Sequence, residues 1–90
     1  MNGEKNGKGK EYDYDGNLEF EGEFLNGLRN GKGKEYYVNG NLKFEGEYFN
    51  NLRGGMGKEF YENGEYYIGQ YKNGLKEGKG TEYYSNGNIK

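Results

Sequence analysis

Apolar and polar residues alternate along the stretch around Phe20. Leu18, Phe20, Gly22 and Phe24 fall on one side, and Glu19, Glu21 and Glu23 on the other. The alternation returns with Leu42, Phe44, Gly46 and Tyr48 against Lys43, Glu45 and Glu47, and again around Tyr67 and Tyr71. A period of two with rings on one face predicts half-buried strands. Polar, glycine-rich tips are expected over 26–31, 50–55 and 73–78, and second strands over 32–38, 56–62 and 79–85. Asp15-Gly16, Asn39-Gly40, Asn63-Gly64 and Asn86-Gly87 close each unit. Such pairs supply two adjacent positive-φ residues for a tight hairpin turn. The expectation is an all-β antiparallel meander in which every connection is short.

The second strands are less regular. Gly33, Glu35 and Tyr37 form one alternating set, and Lys34, Tyr36 and Val38 the other, so both carry a ring. Tyr36-Tyr37, Phe60-Tyr61 and Tyr83-Tyr84 are adjacent pairs. Neighbouring strand residues face opposite sides, so one ring of each pair belongs on the outer face unless a bulge intervenes. The pattern leaves open which one. The third unit is one residue short between Gly64 and Gly69. With that deletion at the turn, Tyr67 and Tyr71 keep the inward places of Phe44 and Tyr48.

These units form a repeat. Gly22, Gly46 and Gly69 are spaced 24 and 23 apart, and Gly9, Gly33, Gly57 and Gly80 are spaced 24, 24 and 23. A fixed period in this range marks a repeat architecture. The 90 residues read as one array: a partial repeat at 1–15, repeats at 16–39, 40–63 and 64–86, and the start of another at 87–90. Arrays usually end in atypical capping units. None is visible, so the chain is expected to be a segment of a longer protein.

Composition refines the picture. Hydrophobic residues make up 30% of the chain, a level that by itself points to disorder. Eleven Tyr and five Phe argue the other way, because each ring buries about 150–250 Å². A thin sheet packed by aromatics satisfies both facts. There is no Cys and no His, which removes disulfides, thiolate metal sites and the commonest general base. No apolar run approaches the roughly 20 residues of a membrane span, and no signal-peptide pattern opens the chain. A cytoplasmic location, extending to the membrane periphery, is the expectation. The net charge of -2 argues against nucleic acid as a partner.

The stretch Tyr67-Ile68-Gly69-Gln70-Tyr71-Lys72-Asn73-Gly74, followed by Gly78-Lys79-Gly80, resembles the MORN repeat (membrane occupation and recognition nexus). Phe20-Glu21-Gly22-Glu23-Phe24 and Phe44-Glu45-Gly46-Glu47-Tyr48 are similar. They depart by one extra residue at the turn and by Asn51 in place of a tip glycine. The resemblance implies an elongated single antiparallel sheet of stacked β-hairpins with an aromatic-lined groove. Phe and Tyr replace the family's usual Trp, so a shallower groove is expected. The glycines between the rings let neighbouring aromatics lie over the backbone.

Candidate chemistry is sparse. Glu19, Glu21, Glu23, Glu45 and Glu47 face Lys32, Lys34 or Lys58 across strands, and such pairs stabilise by about 0.2–1 kcal/mol. A charge ladder explains them without a substrate, and no catalytic residue, cofactor or metal site is predicted. Glu11, Asp13, Asp15 and Gly16 mimic the start of an EF-hand loop, but Gly22 stands where a bidentate Glu belongs. Arg29, Lys32, Arg53 and Lys76 are candidate contacts for an acidic phospholipid. No dense basic run accompanies them.

Protein binding fits better. Two rows of aromatics on a rigid sheet give large contact area at low entropic cost. One row is Phe20, Phe24, Phe44, Tyr48, Tyr67 and Tyr71. The other is the exposed member of each pair among Tyr36, Tyr37, Phe60, Tyr61, Tyr83 and Tyr84. The resemblance implies a non-enzymatic scaffold or an antitoxin-like binder of a protein partner. Open sheet edges add an expectation of self-association by strand addition.

Overall fold

The computed structural model describes residues 5–90. Seven strands follow one another: β1 (Gly7–Tyr12), β2 (Leu18–Leu25), β3 (Leu28–Tyr36), β4 (Leu42–Phe49), β5 (Leu52–Phe60), β6 (Tyr66–Lys72) and β7 (Leu75–Tyr83). They form one open antiparallel sheet whose spatial order is their chain order. The first four residues of the expected partial repeat lie outside the described residues.

The tips are tighter than the glycine-rich sequence suggests. Strand pairing runs to Leu25–Leu28, Phe49–Leu52 and Lys72–Leu75, leaving two residues in each loop. Asn26 and Gly27 both have positive φ (52° and 81°), as do Asn50 and Asn51 (49° and 74°) and Asn73 and Gly74 (52° and 85°). These are the tight hairpin turns. At Asn39-Gly40 and its equivalents, by contrast, only the glycine has positive φ. There the loop is longer, closed by Tyr37 N donating to Asn41 O and Gly40 N donating to Tyr37 O, both at 2.9 Å. The two turn types are thus exchanged relative to expectation. Most of 26–31 and its counterparts is strand.

The short third unit has a different cause from the one expected. Its turn keeps full length, since Tyr61 N donates to Glu65 O at 2.8 Å just as Tyr37 N donates to Asn41 O. What is missing is a β-bulge. Glu11 pairs with Phe20 while Tyr12 pairs with Leu18, leaving Glu19 extra; Glu35 pairs with Phe44 and Tyr36 with Leu42, leaving Lys43 extra. Between β5 and β6 the pairs Glu59–Tyr67 and Phe60–Tyr66 follow without a shift. Tyr67 and Tyr71 do keep the inward places, at 6% and 4% exposure. The bulges also correct one assignment: they carry Leu18 and Leu42 to the face of Tyr12 and Tyr36, opposite Phe20 and Phe44.

The core is a single zigzag of rings on one face, called here the inner face. Phe20, Phe24, Phe44, Tyr48, Tyr67 and Tyr71 are its members, and Phe20 and Phe44 are fully buried. Successive contacts are edge-to-face: Phe20–Tyr48 at 5.0 Å, Phe44–Tyr48 at 5.7 Å and Phe44–Tyr71 at 5.1 Å between centroids. Each buried ring of this kind is worth about 1.5–3 kcal/mol. The glycines beneath make the packing possible. The pairs Gly22–Gly33 and Gly46–Gly57 lie directly under Phe20 and Phe44, where a methyl group would come within 3 Å of the ring.

Candidate interaction surfaces

Three cations roof the inner rings. The guanidinium of Arg29 lies 4.2 Å from the Phe20 centroid, that of Arg53 lies 4.1 Å from Phe44, and the Lys76 ammonium lies 4.4 Å from Tyr67. Carboxylates on the same or the preceding second strand hold them there. Arg29 Nε donates to Glu11 at 2.8 Å; Arg53 donates to Glu35 through Nε and Nη2 at 3.1 Å and to Glu59 at 3.4 Å. Lys76 sits 3.8 Å from Glu82 and donates to the Tyr61 hydroxyl. The core tyrosines join in, with Tyr48 donating to Glu35 and Tyr71 donating to Glu59 at 2.8 Å. Burial by itself would raise the Glu35 carboxyl. The hydrogen bonds from Arg53 and Tyr48 and the charges of Arg53 and Arg29 outweigh it, so its pKa falls below the ordinary value. Burial and the Glu35 bond push the Tyr48 phenol strongly upward, and burial and Glu59 do the same for Tyr71.

The opposite, outer face carries three bands. Along the turn side runs an apolar row in which Tyr36 pairs with Leu42, Phe60 with Tyr66, and Tyr66 with Tyr83. Tyr66 and Tyr83 stack at 4.8 Å with planes 15° apart, and Phe60 lies 5.9 Å from Tyr66. Lys58 stands 4.9 Å and 4.7 Å from the Phe60 and Tyr66 centroids. The Tyr36 hydroxyl donates to Glu21 at 2.6 Å, and that bond, with lesser help from burial, pushes the phenol up to about 12. Along the tip side runs a second apolar row: Leu25, Leu28, Phe49, Leu52 and Leu75, from 38% to 72% exposed.

Between them lies a glycine-floored groove of about 830 Å³ walled by lysines and glutamates. One wall reads Lys8, Glu23, Lys32, Glu47; the other reads Lys10, Glu21, Lys34, Glu45, in strand order from β1 to β4. Two of the glutamates also have a backbone duty. The register slips beyond Gly22 and Gly46, and the N–H groups this frees at Lys32 and Met56 donate to Glu23 and Glu47 at 2.9 and 3.0 Å.

The residues singled out in the sequence therefore separate. Phe20, Phe24, Phe44, Tyr48, Tyr67 and Tyr71 are at most 6% exposed and form the core. Tyr36, Phe60 and Tyr83 share the outer row. Tyr61 packs against the inner core, Tyr37 donates to the Phe60 carbonyl at 2.7 Å, and Tyr84 is 45% exposed. Of the four cations, Arg29, Arg53 and Lys76 roof the inner face, and Lys32 stands in the groove wall. Asp13 uses its carboxylate inside its own turn, accepting from Asp15 N at 2.9 Å and Asn17 N at 2.8 Å. Sequence reasoning missed Leu18, Leu42 and Tyr66 in the outer row, and the whole tip row. The signal for the tip row was present: Asn26-Gly27 flanked by Leu25 and Leu28 is a two-residue hairpin that pairs its flanking residues.

No curated protein matches this chain. A family model for the MORN repeat matches residues 20–42, 44–66 and 67–89, and a MORN repeat variant matches 5–26. Repeats of this kind are commonly binding or membrane-associated modules and are generally not catalytic. With three repeats in phase, each contributing one roofed inner ring pair to a continuous sheet, the chain belongs to the MORN repeat family.

Proposed function

We propose that this chain is a non-enzymatic protein-binding module whose contact surface is the outer aromatic row centred on Phe60, Tyr66 and Tyr83. The observation that carries the reading is that Tyr66 stacks on Tyr83 and Phe60 lies tilted against Tyr66, all on the face away from the core. They are half-buried by mutual contact, so their outward surfaces are already fixed. Pre-ordered aromatics lose little entropy on binding and are typical interface anchors. The module serves either as a docking surface of a scaffold or as a stoichiometric, antitoxin-like binder of one protein. Anionic-lipid binding has less support, because Arg29, Arg53 and Lys76 are committed to rings and carboxylates within the sheet.

The test is an affinity capture from the source lysate with the unmodified chain, a Tyr36/Phe60/Tyr83→Ala variant and a Tyr84→Ala control. Circular dichroism first establishes that each bait is folded. One dominant protein retained by the unmodified chain and by the control, and lost from the triple variant, is the expected result. Equal recovery on all three baits refutes the outer row as the contact surface. Flotation of the unmodified chain with phosphatidylserine vesicles, in the absence of any protein partner, would favour the lipid reading instead.

A further inference from the structure

The charges of the two faces behave differently. On the inner face the roofing cations all find carboxylates within 4 Å. On the outer face, among the described residues, no ion pair within that distance involves any lysine or glutamate of the two groove walls from β1 to β4. Their charge alternates strand by strand: positive on β1, negative on β2, positive on β3, negative on β4. With strands about 4.8 Å apart, the pattern repeats about every 10 Å. Four lysines and four glutamates leave the region without net charge, so a second copy is not repelled as it approaches.

We infer that two copies of this chain pack outer face to outer face about a twofold axis that runs parallel to the strands along the β2/β3 seam. Such an axis places β2 over the partner's β3 and β1 over the partner's β4, and every charged row then meets its opposite. Glu21 and Lys34 are register partners at the seam, so Glu21 of one copy comes to lie across from Lys34 of the other. Height along the strands is unchanged by this axis. The tip row meets the tip row and the turn-side row meets the turn-side row, which brings apolar band to apolar band. A twofold axis running across the strands would instead set each strand over its own copy, like charge on like charge. The alternation thus selects both the partner and its orientation, as a self-complementary patch must.

The area is sufficient. The broad face of the sheet measures 47 by 30 Å, and the overlap of β1 to β4, four of its seven strands, takes about 800 Å² of it, matching the roughly 800 Å² that a stable interface takes from each partner. Packing of two such faces at about 10 Å is ordinary sheet-on-sheet geometry. The outer ends of β5 to β7 overhang, so the Phe60–Tyr66–Tyr83 patch stays uncovered in the dimer. This inference stands apart from the protein-binding proposal, and either holds without the other.

The test is sedimentation of the full 90-residue chain at 50 mM and 500 mM NaCl, with Lys34→Glu and Glu21→Lys as variants and circular dichroism confirming their fold. The unmodified chain is expected to dimerise at low salt and to weaken roughly tenfold at high salt. Each variant alone sets like charges across the seam and should weaken dimerisation by roughly a hundredfold. Mixed together, Lys34→Glu and Glu21→Lys restore both seam contacts, so a 1:1 heterodimer should appear where neither variant dimerises. A monomer at both salt concentrations overturns the inference, as does a dimer indifferent to salt and to both substitutions, which edge-to-edge strand addition would give. Should either variant fail to fold, carbodiimide coupling of a mixture of ¹⁴N- and ¹⁵N-labelled unmodified chain decides the matter. Mixed-isotope Glu21–Lys34 crosslinks support the inference, and their absence from the coupled material overturns it.

Discussion

Replacing Gly57 by alanine is the sharpest probe of the ring-over-glycine packing. Gly57 pairs with Gly46 on one side and Gly69 on the other. A Cβ there would lie 2.5 Å from Cε1 and Cζ of Phe44 and 3.0 Å from Cε1 of Tyr71. Carbon atoms in ordinary contact stand about 3.5–4.0 Å apart, so the Phe44 ring must retreat by about 1 Å. It has nowhere to go: it is fully buried, flanked edge-on by Tyr48 and Tyr71, and roofed by an Arg53 held by Glu35 and Glu59. Overpacking of this sort costs about 1–3 kcal/mol. The lower entropy of the unfolded alanine chain returns only about 0.4–1 kcal/mol. Net destabilisation of about 1.3 kcal/mol is expected. Gly54, in the same strand, supplies the control, since a Cβ there meets nothing within 4 Å and its φ is not positive. Gly54→Ala should be neutral or slightly stabilising. For a domain of this size 1 kcal/mol moves Tm by about 4–8 °C, so the two variants should melt at least about 5 °C apart. Urea titration followed by circular dichroism and tyrosine fluorescence measures the same difference. Phe44→Leu combined with Gly57→Ala should cost about 1 kcal/mol less than the sum of the two single changes. Equal midpoints for Gly54→Ala and Gly57→Ala would refute the packing argument outright.

Deleting Lys43 should convert the second unit to the bulge-free register of the third and change the unfolding free energy from urea titration by no more than about 1 kcal/mol, whereas deleting Phe44 should abolish cooperative unfolding. Asn51 holds positive φ while its Oδ1 accepts from Arg29 N at 2.8 Å. Asn51→Ala loses both and should cost about 2 kcal/mol in thermal melts, while Asn51→Gly relieves the backbone and should stay within about 1 kcal/mol. Because the Glu35 carboxyl is held below its ordinary value of 4.5, its contribution is complete above that pH and is lost as pH falls through the depressed value. The urea midpoint of the unmodified chain should therefore fall more steeply in acid than that of Glu35→Gln. For Tyr36 the sign reverses: a phenol raised from 10.0 to about 12 stabilises fully below pH 10 and progressively less toward pH 12. Absorbance at the tyrosinate band should show several late-titrating phenols, of which the Tyr36 one alone returns toward the ordinary range in Glu21→Gln while those of Tyr48 and Tyr71 stay late.

The first strands were legible because their pattern is pure, with rings inward and glutamates outward. The second strands were not, because they place charges on both faces. Glu35 and Glu59 lie inward, where they anchor Arg53, and only knowledge of what faces them across the sheet makes an inward glutamate sensible. The bulges at Glu19 and Lys43 were hidden for a related reason. A bulge changes pairing without breaking the alternation of residue types, so Leu18 and Leu42 read as inward while the register turns them out. The aromatic pairs were visible as pairs, but their division between the faces follows from those inward glutamates: Tyr36 and Phe60, next in line after Glu35 and Glu59, must face outward. Asn-Gly was read correctly as a turn signal and matched to the wrong turns, since two kinds of loop here share the dipeptide and differ in how many residues surround it.

Substantial contacts join only consecutive strands, and the sheet's order in space is the order of the chain. The molecule is thus wired in series. No strand waits for a distant one, so assembly proceeds as soon as each hairpin is complete, in the manner of a zip fastener. The same wiring sets how it fails. A tension applied across β1 and β7 cannot be shared among all seven strands at once. It peels the outermost strand, then the next, at a low and nearly constant force, and on release the strands close again in reverse order.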